Sequence, residues 1–551
     1  MERTMTRTAL LNAEVADGSG GPLRRCDVLI GGEQISAVVP AGDLTTAGAT
    51  AVDCTGLVLS PGFVDVHSHA DNAPLLDEPD LSKILQGVTT EVVGNCGFSL
   101  APRGPVDAGL DALLSRIFPP LDASWRSVAD LYRVLDERGY ITNMAPLVGH
   151  HALRILAMGM VDAAPNEREL RAMADGLSEA MQAGAFGLST GLIYPPGMFS
   201  RTEELSELAG CLPEHGIYVS HIRGEGNNLM DSIREAIRIG RDSGRRVQVS
   251  HLKAAGQPYH GTVAPALAEL DAARSDGVDI NHDVYPYTAS STMMTALLPP
   301  WFQEGGDRAV LARLADPADR ERAGEQIANG PLGTWENMAW AGGWSNIVVA
   351  STGSGQDVGR SVADIADDWS CGPFDAVVRM LTRERLRVSM VVHQMDEADL
   401  QTAMRHPRTM IGSDGLPPGT GGKPHPRTSG TFPRILARYV RDEGVLTLPE
   451  AVRRMTSLPA ETFRLPRRGR VEPGYCADLV LFDAAAVLDR ADYVNPMVPP
   501  AGISAVYQGG KMAVRDGQFL GGRPGRRLRP DVPGVPAQAM SNPTNQNHQE
   551  I

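Results

Sequence analysis

Apolar and polar positions alternate in two different ways along the chain. From about residue 9 to residue 59, and again from about residue 470, short runs such as "CDVLIGGEQISAVVP" and "ISAVYQGGKMAVRDG" are broken by turn residues, which is typical of β-strands. These two β-rich segments flank a long central region. We therefore predict one small β-sandwich domain built from both chain ends, residues 1–60 and 466–520.

The central region alternates short apolar runs with long amphipathic segments. Runs such as "GFVDVHSH", "TTEVVGNCG" and "VQVSHLK" are rich in Val and Gly, whereas "NERELRAMADGLSEAMQAG" has helical spacing and a glycine at its end. This alternation predicts an α/β fold, a (β/α)8 TIM-like barrel over residues 61–465. Nine candidate strands compete for eight places, and "VSMVVHQM" is the extra candidate.

Two segments depart from the alternation. Residues 290–369 hold five of the six tryptophans, and we predict an insertion near the barrel mouth. It is either a lid or specificity loop, or a small packed subdomain whose aromatic residues form its core. Residues 521–551 are polar and rich in Pro, Asn and Gln, so we expect a disordered tail.

Charge and cysteine content narrow the possible partners. The chain has 66 acidic and 51 basic residues, a formal charge of -15, which argues against nucleic acid as a partner. We find neither a secretory signal nor an apolar stretch of membrane-spanning length, so we predict no membrane association. The six cysteines are scattered without a CxxC motif, which fits a reducing compartment, and we predict a cytoplasmic location. The sequence contains no indication of the oligomeric state.

Side chains that bind metals follow the candidate strands. His67 and His69 lie two residues apart in "PGFVDVHSH", on one face of a strand, although such a pair can also be satisfied by backbone carbonyls. Other strands end at Cys96 in "GNCG", His221 in "VSHIRG", His251 in "VSHLK" and Asp414 in "GSDG". Taken singly, each of these could be a core histidine, a small buried thiol or a turn residue. Because parallel barrel strands open at one face, we expect all six to meet at one mouth.

The types of ligand indicate the metal and its chemistry. Thiolate and imidazole together favour Zn²⁺ over Mg²⁺ or Ca²⁺, while iron, cobalt and manganese remain alternatives. Three protein ligands and a water are typical of a catalytic site, where the ion lowers the pKa of the water to about 7. If Asp414 contacts that water, it can accept the proton and later pass it to a leaving nitrogen.

Several motifs together resemble a known family. "PGFVDVHSH", "GNCG", "SHIRGEG", "SHLK", "DVYPY", "GSDG" and "HPRTSGTFPRIL" resemble the amidohydrolase superfamily and, within it, the D-aminoacylase (N-acyl-D-amino-acid deacylase) family. The likeness runs from about Leu11 to about Gly517, and the cysteine of "GNCG" distinguishes this branch. Many relatives bridge two metals with a carboxylated lysine or a glutamate on the fourth strand. In this chain that strand, "AFGLSTGLIYPPG", has neither.

The resemblance implies a set of metal ligands. Cys96, His221 and His251 would hold one tightly bound Zn²⁺, and His67 and His69 would share Cys96 in a second, weaker site. Close relatives often place an acid directly after the second histidine of the HxH motif. This chain has alanine there, which lowers the expected occupancy of the second site.

The resemblance also implies roles for residues around the metal. Asp414 would be the general base and acid, Lys253, Tyr285 and Arg427 would bind the substrate carboxylate, and Tyr194 would stabilise the acyl oxygen. From sequence alone the two cations could instead form structural salt bridges, and the two tyrosines could be wall aromatics. The apolar segment "STMMTALLPPWF" is expected to line a pocket for a hydrophobic side chain or acyl group.

The implied activity is zinc-dependent hydrolysis of the amide bond of N-acyl-D-amino acids to a carboxylate and a free D-amino acid. The small-molecule substrate is the only partner we predict, and its D configuration rests on the resemblance alone. One alternative is a cyclic-amide hydrolase of the dihydroorotase or hydantoinase type, which the missing lysine disfavours. The other is a catalytically inactive barrel scaffold, which would not need the complete set of ligands.

Overall fold

A computed structural model describes residues 7–104 and 108–531 as an α/β protein with mixed sheets. Within these residues, none of the helices combines the length and apolar character needed to cross a membrane. All six cysteines lie in the described part of the chain and are free thiols, so the predicted absence of a disulfide framework agrees with the structure.

The strands fall into three groups along the chain. The first sixty residues contain β1 (Arg7–Val15), β2 (Arg24–Gly31), β3 (Gln34–Pro40), β4 (Thr50–Asp53) and β5 (Val58–Pro61). The central region contains β6 (Phe63–Asp65), β7 (Val88–Val93), β8 (Asn143–Pro146), β9 (Val148–Gly149), β10 (Gly187–Gly191), β11 (Ile217–His221), β12 (Arg246–Val249), β13 (Ile280–Val284), β14 (Ala289–Met293), β15 (Ile347–Thr352), β16 (Val388–His393) and β17 (Thr409–Ile411). The last strands are β18 (Leu479–Phe482), β19 (Ile503–Gln508), β20 (Lys511–Arg515) and β21 (Gln518–Phe519).

The α-helices lie between the central strands and after them. They are α1 (Ala108–Leu114), α2 (Val128–Arg138), α3 (His150–Met158), α4 (Glu167–Ala183), α5 (Thr202–Gly210), α6 (Leu229–Ser243), α7 (Val263–Ser275), α8 (Pro300–Gln303), α9 (Gly306–Ala315), α10 (Pro317–Ala328), α11 (Met338–Gly342), α12 (Val362–Asp368), α13 (Pro373–Arg383), α14 (Glu397–Arg405), α15 (Arg427–Arg434), α16 (Leu448–Met455) and α17 (Ser457–Thr462). Helix α4 shows how the sequence sets a boundary, since Asn166 and Glu169 form a capping box at its start.

Both chain ends build one nine-stranded sheet. Its order is β21-β20-β19-β18-β5-β1-β2-β3, with β4 paired to β1, and the junction of the two chain ends is the antiparallel pair β5–β18. Its own core contains Leu10, Val28, Leu59, Leu479 and Tyr507, which come from five strands. Strands from both chain ends therefore share one sheet in the described part of the chain.

The central strands form two parallel groups. One is β6-β7-β8, and the other is β9-β10-β11-β12-β13-β17. Leu147 separates β8 from β9, and its N–H donates to the carbonyl of Val93 (2.8 Å), so the two groups are continuous around this residue. At the other side, β6 and β17 approach through a single parallel bridge between Ser68 and Gly415. Among the described residues, no ladder of backbone hydrogen bonds joins β6 to β17, so the two parallel groups do not form one closed sheet.

The insertion is a small three-stranded antiparallel sheet with helices. Its order is β14-β16-β15, and β16 is the run "VSMVVHQM" that competed for a place among the central strands. The sheet therefore extends to His393, beyond the predicted end of the insertion at residue 369. The apolar pattern could not distinguish the two sheets, because a fully buried strand shows the same continuous apolar run in a parallel sheet and in an antiparallel one.

The chain remains packed beyond residue 521, where the sequence predicted a tail. The N–H of Gly525 donates to the carbonyl of Tyr140 (2.9 Å), Leu528 is buried, and Arg527 pairs with Asp136 (2.7 Å). The predicted boundary at residue 521 is therefore too early. The rest of that predicted tail, residues 532–551, lies outside the described residues.

Candidate active site

Six buried side chains meet where the central strands end. They form two overlapping groups whose ligand atoms lie within 4.8 Å of one another: His67, His69, Cys96 and Asp414 in one, and Cys96, His221 and His251 in the other. All six residues were singled out from the sequence, and their convergence follows from the parallel strands that carry them. Cys96 belongs to both groups, so its sulfur lies at the centre.

The distances within the cluster are those of side chains that share one small volume. The Sγ of Cys96 lies 3.2 Å from Nε2 of His67 and 3.6 Å from Nε2 of His251. The rings of His221 and His251 meet edge to face, with centroids 4.4 Å apart. Nε2 of His221 and Nδ1 of His69 are buried and find no hydrogen-bond partner among the described residues.

Three of the six residues have backbone conformations that non-glycine residues rarely adopt. The φ angles are 53° at Cys96, 35° at His251 and 50° at Asp414, and each residue lies just after the end of a strand. Such conformations cost free energy and concentrate at functional sites, where the turn is needed to aim the side chain. In this protein the left-handed turns direct the thiol, the imidazole and the carboxylate toward one another.

The electrostatics of the cluster favour a thiolate. Burial alone would raise the pKa of the Cys96 thiol, but His67, His221 and His251 hold that pKa well below its ordinary value. A buried thiolate among imidazoles, with an unpartnered nitrogen aimed into the group, is a donor set that fits a tetrahedral cation with mixed sulfur and nitrogen ligands. The residues present therefore fit a bound metal.

Asp414 connects the cluster to a cation. Its Oδ1 lies 3.4 Å from Nε2 of His67 and 3.3 Å from Nε2 of His69, and its Oδ2 lies 2.9 Å from Nη1 of Arg427. Burial would raise the pKa of this carboxyl, but Arg427 and His67 hold the pKa well below its usual range. The carboxylate is thus ionised and directed at the same volume as the imidazoles.

A carboxylate that sequence analysis did not single out supports His251. Oε1 of Glu225 lies 2.9 Å from Nδ1 of His251 and 2.5 Å from Nζ of Lys253, and it is fully buried. Carboxylates that accept from the outer ring nitrogen orient a metal-binding histidine and raise its basicity. The available signal was its place in "SHIRGEG", four residues after His221.

Asp283 is a second carboxylate that sequence analysis missed. It lies on β13, where Oδ1 accepts the N–H of His251 (2.9 Å) and Oδ2 accepts from Gln248 (2.7 Å). The same Oδ1 lies 3.5 Å from Nδ1 of His67. Asp283 therefore contacts both His251 and His67. It is the first residue of the motif "DVYPY", which also contains Tyr285.

The four residues expected to contact substrate also lie beside the cluster. The Tyr285 ring is flanked by both cations, with Nζ of Lys253 at 5.6 Å and the guanidinium carbon of Arg427 at 4.5 Å from its centroid. The hydroxyl of Tyr194 lies 2.8 Å from Oγ1 of Thr292, and its ring contacts the ring of His221 (5.2 Å). Burial raises the pKa of Tyr194, so it keeps its proton.

A pocket of about 500 Å³ opens onto these groups. Its lining combines Cys96, His221, His251 and Asp414 with further polar residues such as Ser291 and with apolar side chains. The apolar residues are Phe98, Ile117, Ile193, Met293, Met338 and Leu416. Met338 belongs to the insertion, which therefore forms part of the pocket wall.

A family model described as "Amidohydrolase family" matches residues 50–514 of this chain. The chain belongs to the amidohydrolase family. Among its relatives, a D-aminoacylase from Alcaligenes xylosoxydans xylosoxydans is 37% identical over 94% of this chain and 96% of the relative. An N-acyl-D-glutamate deacylase from the same organism is 38% identical over 95% and 96%. The membership confirms the resemblance seen in the sequence motifs.

A solved amidohydrolase structure is similar over almost the whole chain. It is an N-acyl-D-glutamate deacylase from Bordetella bronchiseptica, complexed with zinc and a phosphonate inhibitor that mimics the tetrahedral intermediate of the reaction. Its TM-score is 0.81 at 34% identity, and the match covers 96% of this chain and 100% of that chain. The likeness therefore includes the insertion and both chain ends, not only the central strands.

Proposed function

We propose that this amidohydrolase cleaves the amide bond of N-acyl-D-amino acids to a carboxylate and a free D-amino acid, with bound Zn²⁺. The observation that carries the proposal is the convergence of Cys96, three further strand ends and the HxH pair in two groups that share Cys96, with the ligand atoms of each group within 4.8 Å of one another. The named relatives, a D-aminoacylase and an N-acyl-D-glutamate deacylase, support this class of substrate.

In this proposal Cys96, His221 and His251 hold one tightly bound Zn²⁺, and His67 and His69 share Cys96 in a second, weaker site. The thiolate character of Cys96 supports zinc, because magnesium and calcium require oxygen ligands. When bound, the ion polarises the amide carbonyl and makes a water more acidic. Ala70 follows the HxH pair and supplies no further ligand, which fits the weaker second site.

Asp414 performs the proton transfers. It takes one proton from the attacking water as the new C–O bond forms, and it delivers that proton to the amide nitrogen as the C–N bond breaks. The second proton of the water remains on the new acyl group and passes to the free amine, so the products are a carboxylate and an ammonium group, and Asp414 returns to its ionised form. Tyr194 keeps its proton and donates to the acyl oxygen, on which negative charge develops in the transition state.

The substrate carboxylate binds between Lys253, Tyr285 and Arg427. Both cations lie on the ring of Tyr285, so the three side chains form one site of mixed cationic and aromatic character. Nε and Nη1 of Arg427 are buried and make no well-aligned hydrogen bond within the described chain, even though Nη1 is close to Asp414. These donors are available to an anionic ligand.

The side chain of the preferred substrate is apolar. The two named relatives are almost equally similar to this chain, at 37% and 38% identity, so sequence identity does not indicate the preferred substrate side chain. The inference therefore depends on the residues that line the pocket. Its lining includes the apolar side chains Phe98, Ile117, Met293 and Met338, and the carboxylate of Glu225, whose pKa Lys253 holds well below its ordinary value against the effect of burial. A second carboxylate on the substrate would meet repulsion there, so acetylated D-Met and D-Leu should be turned over better than acetylated D-Glu.

We also infer the finer organisation of the fold. The parallel groups β6-β7-β8 and β9-β10-β11-β12-β13-β17 provide eight strands when β8 and β9 are taken as one, and we propose that they form a (β/α)8 barrel over residues 61–465. We propose that residues 1–60 and 466–520 form a separate β-sandwich-like domain, supported by their own core. The free cysteines agree with a reducing location such as the cytoplasm.

The two alternatives receive less support. A cyclic-amide hydrolase with a bridging lysine would need that residue on the fourth strand, but β10 reads "GLSTG". An inactive scaffold would not require three left-handed turns that aim a thiol, an imidazole and a carboxylate at one point.

Turnover of N-acetyl-D-methionine and of its L-enantiomer by the purified protein, with zinc measured in the same sample, tests the proposal. Hydrolysis of the D-enantiomer that is lost in a Cys96→Ala variant is the expected result. A matched Cys211→Ala variant, at an exposed cysteine outside the site, should behave like the unmodified protein. Bound zinc without hydrolysis of either enantiomer would reject this substrate class.

A further inference from the structure

A buried lysine lies directly behind the site. Only four of the 51 basic residues are lysines, and the others are arginines. Lys83 is one of the four and is only 2% exposed. In a chain that uses arginine almost everywhere, a buried lysine indicates a position that needs a compact charge. A Cβ added at Gly415 would lie 2.8 Å from its Nζ, which leaves little room for a guanidinium.

The lysine is bound by two groups from distant parts of the chain. Its Nζ donates to Oδ2 of Asp65 (2.8 Å) and to Oγ of Ser413. Asp65 is completely buried, and its Oδ1 also accepts the N–H of Ser413 (2.8 Å) and the N–H of His67 (3.2 Å). The carboxylate therefore ties the end of β6 to the end of β17, although 348 residues separate Asp65 from Ser413.

This network replaces the ladder that is missing between β6 and β17 in the described chain. Beyond it, the N–H of Asp414 donates to the carbonyl of His67 (2.7 Å), and the N–H of His69 donates to the carbonyl of Gly415 (3.0 Å). A Cβ added at Gly412 would lie 2.6 Å from Cβ of His67, so the two segments approach closely. Gly412 and Gly415 of "GSDG" allow this approach, and the hydroxyl of Ser413 accepts the hydrogen bond from Lys83.

The nearest other buried carboxylate has different partners. Glu91 accepts from Oγ of Ser68 (2.7 Å) and Oγ1 of Thr142 (2.6 Å), and it has no ion pair within the described chain. Lys83 therefore directs its hydrogen bonds at Asp65 and Ser413, and acts on Glu91 only through its charge. Asp65 accepts from four donors, since Oγ of Ser413 also donates to its Oδ2 (2.6 Å), and removal of one partner from a buried ion pair such as Lys83–Asp65 is strongly destabilising.

We propose that Lys83 is a positioning residue for the amide hydrolysis: through Asp65 and Ser413, it fixes the Asp414 turn against the strand that carries His67 and His69. Lys83 touches neither the ligand atoms nor the pocket. The three ligands Cys96, His221 and His251 are held by other strands, so the network sets the position of the proton-transferring group and not that of the tight metal site.

The test compares three variants of the full-length, zinc-loaded protein. Lys83→Met removes the charge, and Ser413→Ala removes only the link while leaving the Lys83–Asp65 pair intact. Ser82→Ala is the matched control, because its hydroxyl bonds to Asp80 and not to the network. The measurements are kcat and KM for N-acetyl-D-methionine, zinc content, melting temperature, and hydrogen exchange of a peptide covering residues 409–416.

We expect Lys83→Met to lower kcat by about 10- to 100-fold, with KM changed less than about threefold and zinc content unchanged, as for other residues that orient a reacting group. Ser413→Ala should lower kcat in the same direction by a smaller factor with little change in melting temperature. In both variants the Asp414 amide should exchange faster. If Lys83→Met does not fold, Ser413→Ala decides the question.

A kcat within twofold of the unmodified protein in Ser413→Ala, with unchanged exchange of residues 409–416, would reject the positioning role. A lower melting temperature alone would indicate that Lys83 only stabilises the fold, and would also overturn the proposal. The inference rests on the proposed function for its kinetic readout. Failure of that function would show as absent turnover in the unmodified protein, whereas the hydrogen-exchange result does not depend on the substrate.

Discussion

The guanidinium of Arg427 lies 2.9 Å from one oxygen of Asp414, whose other oxygen lies 3.3 Å from the imidazole of His69. Asp414 is thus held between a fixed cation and the HxH pair, completely inside the protein. Burial favours its neutral form, yet the pKa lies well below the usual range because of Arg427 and His67. The protein therefore keeps at this point the ionised carboxylate that a general base requires.

Asp414→Asn should abolish most of the activity while keeping the metal. The amide has the same shape but cannot accept the proton of water, and general acid–base catalysis contributes about 10²- to 10⁴-fold. We expect kcat to fall by about that factor, with zinc content unchanged because the tight ligands are elsewhere. Steady-state kinetics and metal analysis on the same sample provide the measurement. Asp276→Asn, at an exposed aspartate, is the control, and a loss below tenfold in Asp414→Asn would contradict the assigned role.

Arg427→Met should weaken binding of the substrate carboxylate. A hydrogen bond to a charged group contributes about 1.5–3 kcal/mol, which corresponds to roughly 10- to 150-fold in kcat/KM. Since Arg427 also pairs with Asp414, the informative quantity is the ratio between N-acetyl-D-methionine and its carboxamide analogue. We expect the variant to lose the preference for the carboxylate. An unchanged ratio, despite lower activity on both compounds, would restrict Arg427 to its effect on Asp414.

Glu225→Gln should loosen the tight metal site. The carboxylate lies 2.9 Å from Nδ1 of His251, and the loss of such a partner typically costs about 10- to 100-fold in metal affinity or activity. The variant also leaves Lys253 without its ion-pair partner, which raises the cost. Competition with a chelator measures the zinc affinity. Glu203→Gln, at an exposed glutamate on α5, is the matched control, and equal affinities in the two variants would exclude the orienting role.

The metal-binding candidates could be predicted from the sequence because each one ends an apolar run. His67, Cys96, His221, His251 and Asp414 lie at or just after strand ends, and a parallel arrangement brings strand ends together without knowledge of any contact. The groups behind them could not be predicted in this way. A buried partner is defined by what it touches, and those contacts join residues that are far apart in the sequence, such as Asp65 and Ser413.

The same reason explains the errors in the fold. The run "VSMVVHQM" has the apolar character of a central strand, and only its antiparallel partners β14 and β15 reveal that it belongs to the insertion. The segment after residue 521 is polar on average, but Arg527 pairs with Asp136 on α2, and Leu528 packs into a core with residues of the central strands. Average composition does not detect such isolated contacts.

Glu336→Gln should change the pH dependence of stability. Burial, with the charge of Glu225, raises the pKa of Glu336 from 4.5 to about 7. The folded state therefore binds more protons than the unfolded state between about pH 4.5 and 7, so stability falls as the pH rises through this window. The substituted glutamine does not titrate, and its amide oxygen can still accept the N–H of Glu225, which donates to Glu336 at 3.0 Å in the unmodified protein.

The expected result is a variant whose stability relative to the unmodified protein is lowest near pH 5 and rises with pH, towards a total difference of roughly 3 kcal/mol above pH 7, at 1.36 kcal/mol per unit of pKa. Denaturant unfolding of both proteins from pH 5 to pH 8.5 measures the difference. Glu91 and Asp71 also have raised pKa values and contribute the same slope to both proteins. A difference that stays constant with pH would mean that Glu336 does not titrate in this range.

Removal of residues 522–551 should destabilise the protein relative to removal of residues 532–551 alone. The first truncation loses the buried Leu528, the ion pair of Arg527 with Asp136, and the hydrogen bonds of Arg523 to the carbonyls of Pro74 and Gly139. The shorter truncation is the control because it leaves all of these contacts in place.

Leu528→Ala isolates the apolar part of the effect. Its side chain joins a core that includes Val66, Val92 and Leu147 from the central strands, and Leu→Ala changes at buried sites cost about 2–5 kcal/mol. Since none of these contacts reaches the pocket, kcat of the folded protein should be unchanged while the unfolding midpoint in denaturant falls. Removal of a packed leucine loses its transfer free energy, so the longer truncation should unfold at a lower denaturant concentration than the shorter one. Equal unfolding midpoints for the two truncations would show that residues 522–531 contribute nothing to stability.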